Sequence, residues 1–277
     1  MKKLIVVTGP TASGKTDLAV KLALEHDTEI ISADSRQIYK GIPIVTAVPD
    51  ESQRMGVTHH LIETLPLDSY YSAAMFEEDA LRIAAEIWKK RDVAIVCGGS
   101  MMYVDALIYG IDQLPTVPDS IRIPLMEEWK KKGDDWLRDR LKHLDSDYYS
   151  QVDLANITSV SQAEQLSSAS ATTYAPLRTG KRKKRDFDIE KIIIDMPREQ
   201  LFDRINRRVL AMIDHGLVDE ARRVYPLRHL NSLNTVGLKE MFAYFDCTMD
   251  FDTAVARIQK NTRVYAKKQL TWIKTRY

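Results

Sequence analysis

The stretch Gly9-Pro10-Thr11-Ala12-Ser13-Gly14-Lys15-Thr16 decides the fold, because it spells a complete Gly-x4-Gly-Lys-Thr phosphate loop. It follows the apolar run Leu4-Ile5-Val6-Val7 and opens into a helical pattern marked by Leu18, Leu22 and Leu24. A strand, a glycine-rich loop and a helix in this order let backbone N–H groups converge on an anion at the helix N-terminus. The stretch therefore predicts a phosphate-bearing substrate, without indicating which one.

Two side chains of the loop complete the predicted anion site. Lys15 adds a positive charge, and the Thr16 hydroxyl is the expected protein ligand of a Mg²⁺ ion. The remaining loop positions, which are expected to surround the bound phosphates, are Gly9, Pro10, Thr11, Ala12, Ser13 and Gly14.

Composition bounds what else the chain can be. Its 277 residues, of which 44% are hydrophobic, suffice for one large domain or for one domain with an inserted module. The net charge of +1 gives no global signature of nucleic-acid binding, so any basic surface must be local. Cys97 is predicted as a buried strand residue far from Cys247, and no disulfide is expected. Without a membrane-spanning stretch or a signal peptide before the first strand, the sequence predicts a cytoplasmic protein.

Strand and helix patterns alternate in the first hundred residues. Apolar strands are predicted over Lys3–Thr8, Glu29–Ala33 and Asp92–Cys97, with helices over Thr16–Glu25 and Tyr71–Lys90. This alternation implies right-handed βαβ units around a parallel sheet, so the predicted fold class is α/β. Ligands of such sheets bind beyond the carboxyl ends of the strands.

Composition shifts near the segment Leu114-Pro115-Thr116-Val117-Pro118, after which the chain is charged and helical up to about Gly180. This pattern predicts an inserted helical module. The basic run Lys181-Arg182-Lys183-Lys184-Arg185 then leads to a new strand, Ile189–Ile194, and its charge is compatible with a solvated loop or with nucleic-acid contact. The expected division is a core over residues 1–113, an inserted helical module over 114–186, and core completion with C-terminal helices over 187–277.

Asp34 is the leading catalytic candidate. It ends a predicted strand at the edge where Gly9 and Gly98 also lie, so the three residues are expected to share one crevice. The carboxylate could act as general base or hold Mg²⁺ through water, and a turn cap is the structural alternative. The strand that ends at Cys97 carries no acidic residue, which argues against an ordinary ATPase or kinase. Gly98-Gly99-Ser100 offers close backbone approach and a hydroxyl instead, or tight packing alone.

A helix predicted over residues 197–216 carries Arg204, Arg207 and Arg208. Arg204 and Arg208 are four residues apart and share a face that could clamp a pyrophosphate, although the spacing of these two with Arg207 favours a solvated face. His59-His60 has no spaced partner that would indicate a metal site, so a turn or packing role is predicted.

The ordered set of motifs resembles the tRNA dimethylallyltransferases, also called tRNA isopentenyltransferases, over nearly the whole chain. The phosphate loop alone is generic, whereas the set in this order is specific to that family. The motifs that carry the resemblance are the phosphate loop, Asp34–Gly41, Gly98–Ser100, Arg204–Val209, Asn234–Glu240 and Arg263–Trp272.

The resemblance implies a P-loop-kinase-like parallel-sheet core with an inserted helical domain. It implies transfer of a dimethylallyl group from dimethylallyl diphosphate to N6 of adenine 37, beside the anticodon of tRNAs that read codons starting with U, giving i6A37. The phosphate loop would hold the pyrophosphate rather than ATP, with Mg²⁺ as cofactor, in a monomer that binds the anticodon stem-loop. Asp34 would be the general base, and Thr11 and Arg208 would contact the donor. The residues matched to tRNA contacts are Asp34, Ser35, Arg36, Gln37, Ser100, Arg122, Thr158, Ser159, Val160, Ser161 and Gln162.

The sequence departs from the family pattern in three places. Where the family reads Arg-Val-Ile-Arg-Ala-Leu-Glu after an Asn-Pro, residues 156–166 contain neither arginine, and the Ser- and Ala-rich stretch Ser167–Thr173 follows. Gly98–Tyr103 replaces the usual Gly-Gly-Thr-Gly-Leu-Tyr, with Ser100 keeping the hydroxyl. The chain stops at Tyr277, where the family often continues for a short tail.

Three other functions stay open at this point. They are prenyl transfer to free adenine nucleotides, phosphoryl transfer by a small-molecule P-loop kinase, and RNA binding by a degenerate nucleotide fold. The helical insertion and the basic C-terminal region favour a macromolecular acceptor. Intact Lys15, Thr16 and Asp34 argue against a degenerate protein, whereas the altered segment 157–173 keeps that alternative open.

Overall fold

The computed structural model describes residues 2–112, 114–115, 117–169, 173–177, 180 and 182–277. Their contacts divide the chain into two compact units. The sheet unit comprises Met1–Tyr109 and Lys184–Tyr277, and the helical unit comprises Gly110–Lys183. Among the described residues, no helix combines the length and the apolar character that crossing a bilayer requires.

The sheet unit contains the strands β1 Lys3–Thr8, β2 Ile30–Ser32, β3 His59–His60, β4 Val93–Gly98 and β5 Asp188–Ile193. They form a five-stranded parallel sheet with the order β3-β2-β4-β1-β5, so the predicted α/β class is confirmed. Thr8 at the end of β1 lies opposite Gly98 on one side and Ile193 on the other, which brings the carboxyl ends of three strands together.

The first helices of the sheet unit alternate with its strands, and the remaining helices follow the last strand in the chain. Those before β5 are α1 Lys15–Glu25, α2 Pro43–Thr46, α3 Glu51–Arg54, α4 Ala73–Ile87 and α5 Met101–Tyr109. Those after β5 are α11 Arg198–Asp214, α12 Leu217–Val224, α13 Leu238–Phe245 and α14 Phe251–Arg276, with short 3₁₀ turns at Tyr225–Leu227 and Asn231–Leu233. The helical unit contains α6 Asp119–Lys132, α7 Asp134–Leu144, α8 Ser146–Tyr149, α9 Ile157–Ala169 and α10 Tyr174–Leu177.

The apolar run of β1 is buried on both faces of the sheet. Leu4 and Val6 belong to the larger core under α4, α5 and the C-terminal helices, whereas Ile5 and Val7 belong to the smaller core under α1. Successive side chains of a strand point to opposite faces, and a parallel strand covered on both sides therefore reads as a continuous apolar run. Each fully buried side chain of this kind contributes about 1.5–3 kcal/mol.

His59 and His60 form the edge strand β3, which the sequence does not reveal. β3 pairs with β2 through Ile30 opposite His59. His60 Nε2 lies 2.5 Å from the Glu29 carboxylate, and His59 Nδ1 lies 2.9 Å from the Val57 carbonyl. A strand of two residues is too short to show the alternation by which strands are recognised, so the predicted turn is replaced by an edge strand.

Local signals fix both ends of α11. The helix begins directly after Pro197, and it ends before Gly216, whose φ of +95° is the left-handed conformation that glycine adopts without cost. One face of α11 packs on α14 through Leu201, Ile205 and Ala266. This contact places α11 and α14 at the carboxyl edge of the sheet, where the site lies.

Candidate functional site

The phosphate loop runs from the end of β1 to the start of α1, as the sequence predicts. Gly14 has a φ of +92° and Ala12 a φ of +64°, so the loop bends through two left-handed residues. A Cβ on Gly9 would lie 2.9 Å from the carbonyl oxygen of Ile194, which excludes a side chain there. The Lys15 ammonium turns back over the loop and donates a hydrogen bond of 2.7 Å to the Pro10 carbonyl.

Burial makes Lys15 an unusual lysine. Removal from water lowers its pKa to about 8, and although Cys97 and Asp34 raise that pKa, Arg208 opposes them. Burial raises the pKa of the Cys97 thiol to about 11, so at neutral pH this side chain carries no negative charge that could offset the lysine. A buried cation that lacks a close carboxylate partner is expected to gain an anionic ligand.

Asp34 follows β2 and uses one carboxylate oxygen to hold its own turn. Its Oδ1 accepts hydrogen bonds from the backbone N–H groups of Arg36 at 2.9 Å and Gln37 at 3.3 Å. Among the described residues, none donates a hydrogen bond to Oδ2 or forms an ion pair with it. The turn cap and the site role that the sequence leaves as alternatives therefore coexist, because each uses a different oxygen.

Two adjoining cavities meet at Asp34. The phosphate cleft has a volume of about 670 Å³ and is lined by the whole stretch Thr11–Asp17 together with Gly98 and Gly99. The apolar pocket has a volume of about 310 Å³ and is walled on one side by Ile205, Val209 and Met212 of α11. The residues that line both cavities are Thr11, Asp34, Thr46, Arg208 and Tyr265.

The phosphate cleft is lined by three of the four arginines of α11, namely Arg204, Arg207 and Arg208. The solvated face that their spacing favours describes Arg207, which pairs with Asp203 at 2.6 Å on the exposed surface. Arg208 differs, because it is half-buried. Desolvation lowers the pKa of its guanidinium, whereas the nearby Asp34 carboxylate raises it. Arg204 lies close to the backbone of Gly14. The cleft is therefore strongly positive on the side facing the loop.

Side chains that the family resemblance matches to tRNA contacts build the wall around Asp34. The Ser35 N–H donates a hydrogen bond of 2.8 Å to the hydroxyl of the buried Ser100. The Arg36 guanidinium donates to the carbonyls of Asn231 and Ser232, and the Gln37 amide donates to the carbonyls of Thr46 and Ala47. These bonds give the three side chains a structural role in fixing the Asp34 turn.

The matched residues of the helical unit divide between its surface and its core. Arg122 on α6 and Gln162 on α9 are exposed, and Ser159 is half-buried. Val160 and Ser161 are 0% and 5% exposed, because they face the core that α6, α7 and α9 form. Packing within the helical unit accounts for both side chains, and their assignment as tRNA contacts stays a prediction. The side chain of Thr158 lies outside the described part of the structure.

The basic run before β5 is not uniformly exposed. The Arg185 side chain is only 10% exposed, and its guanidinium pairs with the Glu77 carboxylate at 2.8 Å and donates hydrogen bonds to the carbonyls of Ala106 and Leu107. Arg185 is therefore a structural residue, whereas Lys184 is exposed. Lys181 lies outside the described residues. The nucleic-acid contact that the run's charge allows must come from its other members.

Two residues of α14 belong to the site without having been assigned a role from the sequence. Tyr265 lines both cavities beside the Ser100 hydroxyl, and burial raises its pKa to about 12. Gln269 reaches the phosphate loop itself. Both lie in the Arg263–Trp272 motif, so their presence in that motif was the only available signal.

The fold and the site together define a P-loop enzyme that binds a phosphorylated ligand next to a carboxylate with one unpaired oxygen. The profile of the IPP transferase family matches residues 37–276, most of the chain. The chain therefore belongs to the IPP transferase family, which confirms the resemblance seen in its motifs.

Similar proteins agree with this assignment. The tRNA dimethylallyltransferase 1 of Bacteroides thetaiotaomicron is 45% identical over 274 residues, which cover 99% of this chain and 89% of that protein. The tRNA isopentenylpyrophosphate transferase of Bacillus halodurans has a crystal structure that matches with a TM-score of 0.71 at 32% identity, covering 99% and 87% of the two chains. A eukaryotic dimethylallyltransferase acting on tRNA shares the fold, with a TM-score of 0.80 at 23% identity over 99% and 70%.

Proposed function

We propose that this chain transfers the dimethylallyl group of dimethylallyl diphosphate to N6 of adenine 37 in tRNA, giving i6A37, with Asp34 as the general base. The observation that carries the catalytic assignment is the position of Asp34, whose unpaired oxygen lies where the positive phosphate cleft meets the apolar pocket. The donor combines a charged diphosphate with a hydrocarbon chain. The phosphate cleft suits the diphosphate, and the adjoining apolar pocket suits the hydrocarbon chain.

The diphosphate of the donor occupies the phosphate cleft. Backbone N–H groups of the loop and the cations Lys15 and Arg208 face it, and Thr11 lies at the boundary with the apolar pocket. As the allylic C–O bond breaks, negative charge develops on the diphosphate, and cations fixed in a desolvated site stabilise this charge strongly. This arrangement promotes departure of the diphosphate.

Magnesium fits the residues of the cleft as a substrate-bound ion. Among the described residues, no group of three or more His, Cys, Asp or Glu side chains could hold a metal by themselves. Mg²⁺ is commonly held by one or two protein oxygens together with substrate phosphates, and the Thr16 hydroxyl at the start of α1 is suited to that role. A bound ion would neutralise charge on the leaving diphosphate.

In the transfer to the acceptor, Asp34 takes up the proton that the adenine amine loses. The N6 nitrogen forms a bond to C1 of the allyl group while the C1–O bond breaks, and the electron pair of that bond leaves with the diphosphate. The proton that N6 loses moves to Oδ2 of Asp34, which is why an unpaired carboxylate oxygen is needed. An exocyclic amine is a weak nucleophile, so this proton transfer contributes directly to the rate.

The acceptor adenine must leave its stack to reach this position, as bases do in other enzymes that modify them. Tyr265 presents an aromatic ring beside Asp34, with 38% of its surface exposed. The apolar wall of α11 keeps water away from the allyl group, which water would otherwise consume. We propose that exposed basic side chains hold the tRNA backbone through its phosphates.

The reaction itself is tested with purified protein, Mg²⁺, labelled dimethylallyl diphosphate and unmodified tRNA that reads codons starting with U. AMP and ATP serve as parallel acceptors. Label on the adenine next to the anticodon supports the proposal. Label only in the nucleotides would assign the protein to the free-nucleotide transferases, and phosphate transfer from ATP would assign it to the small-molecule kinases.

A pH dependence follows from the lowered pKa of Lys15, which is half-buried in the cleft. Because its pKa in the free protein is about 8, a bound diphosphate that favours the ammonium raises this pKa and takes up a proton. Affinity for inorganic pyrophosphate should therefore be constant for this group below pH 8 and fall by up to tenfold per unit above it. Calorimetry in buffers of different ionisation enthalpy measures both the affinity and the proton uptake.

Lys15→Ala is the matched control for that titration. It should weaken pyrophosphate binding at pH 7 and lose the additional fall in affinity above pH 8, leaving only the titration of pyrophosphate itself. Equal pH profiles for the two proteins would remove Lys15 from the anion site.

Donor length should depend on Met212. This side chain lines the apolar pocket one helical turn beyond Arg208, about 6 Å along the axis of α11. Met212→Ala enlarges the far end of the pocket, so the ratio of kcat/KM for geranyl diphosphate to that for dimethylallyl diphosphate should rise about tenfold or more. Leu210→Ala, on the exposed face of the same helix, should leave the ratio unchanged. An unchanged ratio for Met212→Ala would place the hydrocarbon chain elsewhere.

A further inference from the structure

Gln269 joins two loops of the site through one side chain. It lies on α14, it is 3% exposed, and its Oε1 accepts a hydrogen bond of 2.8 Å from the backbone N–H of Thr11. Its Nε2 donates a hydrogen bond of 2.8 Å to the carbonyl of Gly99. Both amide atoms are thus used, and the two backbone partners fix which way the amide points.

Gly99 is shaped by this contact. A Cβ at Gly99 would lie 2.4 Å from Gln269 Nε2, and its next neighbour would be the Gly9 carbonyl at 3.3 Å. The absence of a side chain at position 99 therefore makes room for the glutamine amide. The Gly98-Gly99 pair that the sequence assigns to close backbone approach has a partner 170 residues away in the chain.

The bond to Thr11 has a consequence for anion binding. Since Gln269 takes the Thr11 N–H, the N–H groups that meet a phosphate come from the rest of the loop. The next residue, Ala12, has a φ of +64°, a conformation that is strained for a residue with a side chain. Such a conformation persists only where its surroundings hold it. Gln269 is the buried group that fixes the residue preceding it.

We propose that Gln269 is a positioning residue that holds the phosphate loop in its anion-binding shape by tying Thr11 to Gly99. The proposal rests on the proposed function in one respect, namely that this loop binds the diphosphate of the donor. Gln269 itself acts through the backbone of the loop. Without it, the Thr11 N–H and the Gly99 carbonyl lose their partner in a poorly solvated region, and the loop relaxes.

The test compares four proteins with the wild type: Gln269→Ala, Gln269→Met, Gly99→Ala and the double variant Gln269→Ala/Gly99→Ala. Gln269→Met fills most of the space without providing either hydrogen bond. Binding of inorganic pyrophosphate with Mg²⁺ is measured by calorimetry, prenyl transfer by single turnover at saturating donor, and folding by thermal unfolding. Gln259→Ala is the control, because this glutamine lies on the same helix and contacts α11 rather than the loop.

We expect both Gln269 variants to weaken pyrophosphate binding about tenfold or more and to slow single-turnover transfer by a similar factor, with unfolding still cooperative. Gly99→Ala should show a comparable defect, because its methyl group displaces the Gln269 amide. In the double variant the added methyl group should lower the pyrophosphate affinity and the single-turnover rate by less than twofold relative to Gln269→Ala, because the Gln269 amide with which it would clash is gone. General destabilisation would not produce this non-additivity.

Wild-type affinity and rate in Gln269→Met would overturn the proposal, as would defects of Gly99→Ala and Gln269→Ala that multiply in the double variant. If Gln269→Ala does not fold, Gln269→Met and Gly99→Ala still decide the question. A wild-type protein that transfers no prenyl group would refute the proposed function, whereas the pyrophosphate affinities would still test Gln269.

Discussion

Asp34→Asn should slow prenyl transfer to tRNA by about 10²–10⁴-fold while leaving pyrophosphate affinity within about threefold of wild type. The asparagine keeps an Oδ1 that can accept the hydrogen bonds from Arg36 and Gln37, so the turn persists. It lacks the second carboxylate oxygen that takes the proton from N6. Single-turnover rates at saturating donor separate this chemical step from binding.

A matched control and a rival role sharpen the measurement. Asp17→Asn removes a carboxylate from the same cleft at an exposed position of α1, and it should change the rate less than about threefold. If Asp34 mainly anchors Mg²⁺, Asp34→Asn will instead lose pyrophosphate affinity and turnover to a similar extent. That result would contradict the general-base assignment.

The part of the fold that the sequence predicts well is coded locally. The run Leu4–Val7, the phosphate loop and the start of α1 lie next to one another in the chain, so their order specifies strand, anion site and helix. Pro197 and Gly216 likewise mark the ends of α11 by backbone chemistry alone. The position of Asp34 in the cleft follows from the same local order, because the carboxyl end of a parallel strand faces the crevice.

Features that depend on distant partners could not be predicted in this way. Gln269 meets Thr11 across 258 residues, and no periodicity in α14 indicates that contact. Val160 and Ser161 match a motif by alignment, yet the angular position of each residue on α9 decides whether it faces tRNA or the core. The basic run shows the same limit. Its charge predicts exposed side chains, whereas the Arg185 side chain is only 10% exposed and pairs with a carboxylate 108 residues away in the chain.

The sheet unit contains two kinds of desolvated cation, those in the phosphate cleft and one that is paired with a carboxylate. Lys15 and Arg208 lie in the phosphate cleft, and no carboxylate in the described part of the chain forms an ion pair with either. Burial lowers the pKa of each, so the free protein bears a cost that a diphosphate can relieve. Arg185 donates hydrogen bonds to three oxygens, one of which belongs to the paired Glu77 carboxylate, so it gains nothing from a ligand. Buried cations of the first kind indicate function, and those of the second kind indicate structure.

Arg185→Ala should therefore destabilise the protein rather than weaken tRNA binding selectively. The substitution removes the guanidinium that pairs with the Glu77 carboxylate, which is 4% exposed, and the hydrogen bonds that this guanidinium donates to the carbonyls of Ala106 and Leu107. Breaking a buried ion pair in this way costs about 3–5 kcal/mol. For a chain of this size the loss corresponds to a fall in Tm of roughly 10 °C, measured by scanning calorimetry.

The neighbouring lysine provides the comparison that decides between the two roles of the basic run. Lys184→Ala removes an exposed charge and should leave Tm unchanged within about 1 °C, while any effect on tRNA affinity should weaken as salt is raised. Replacing the pair by the apolar side chains of Glu77→Leu/Arg185→Met should recover much of the stability lost in Arg185→Ala, because no buried charge then remains. A stable Arg185→Ala protein with impaired tRNA binding would instead mean that Arg185 reaches the nucleic acid.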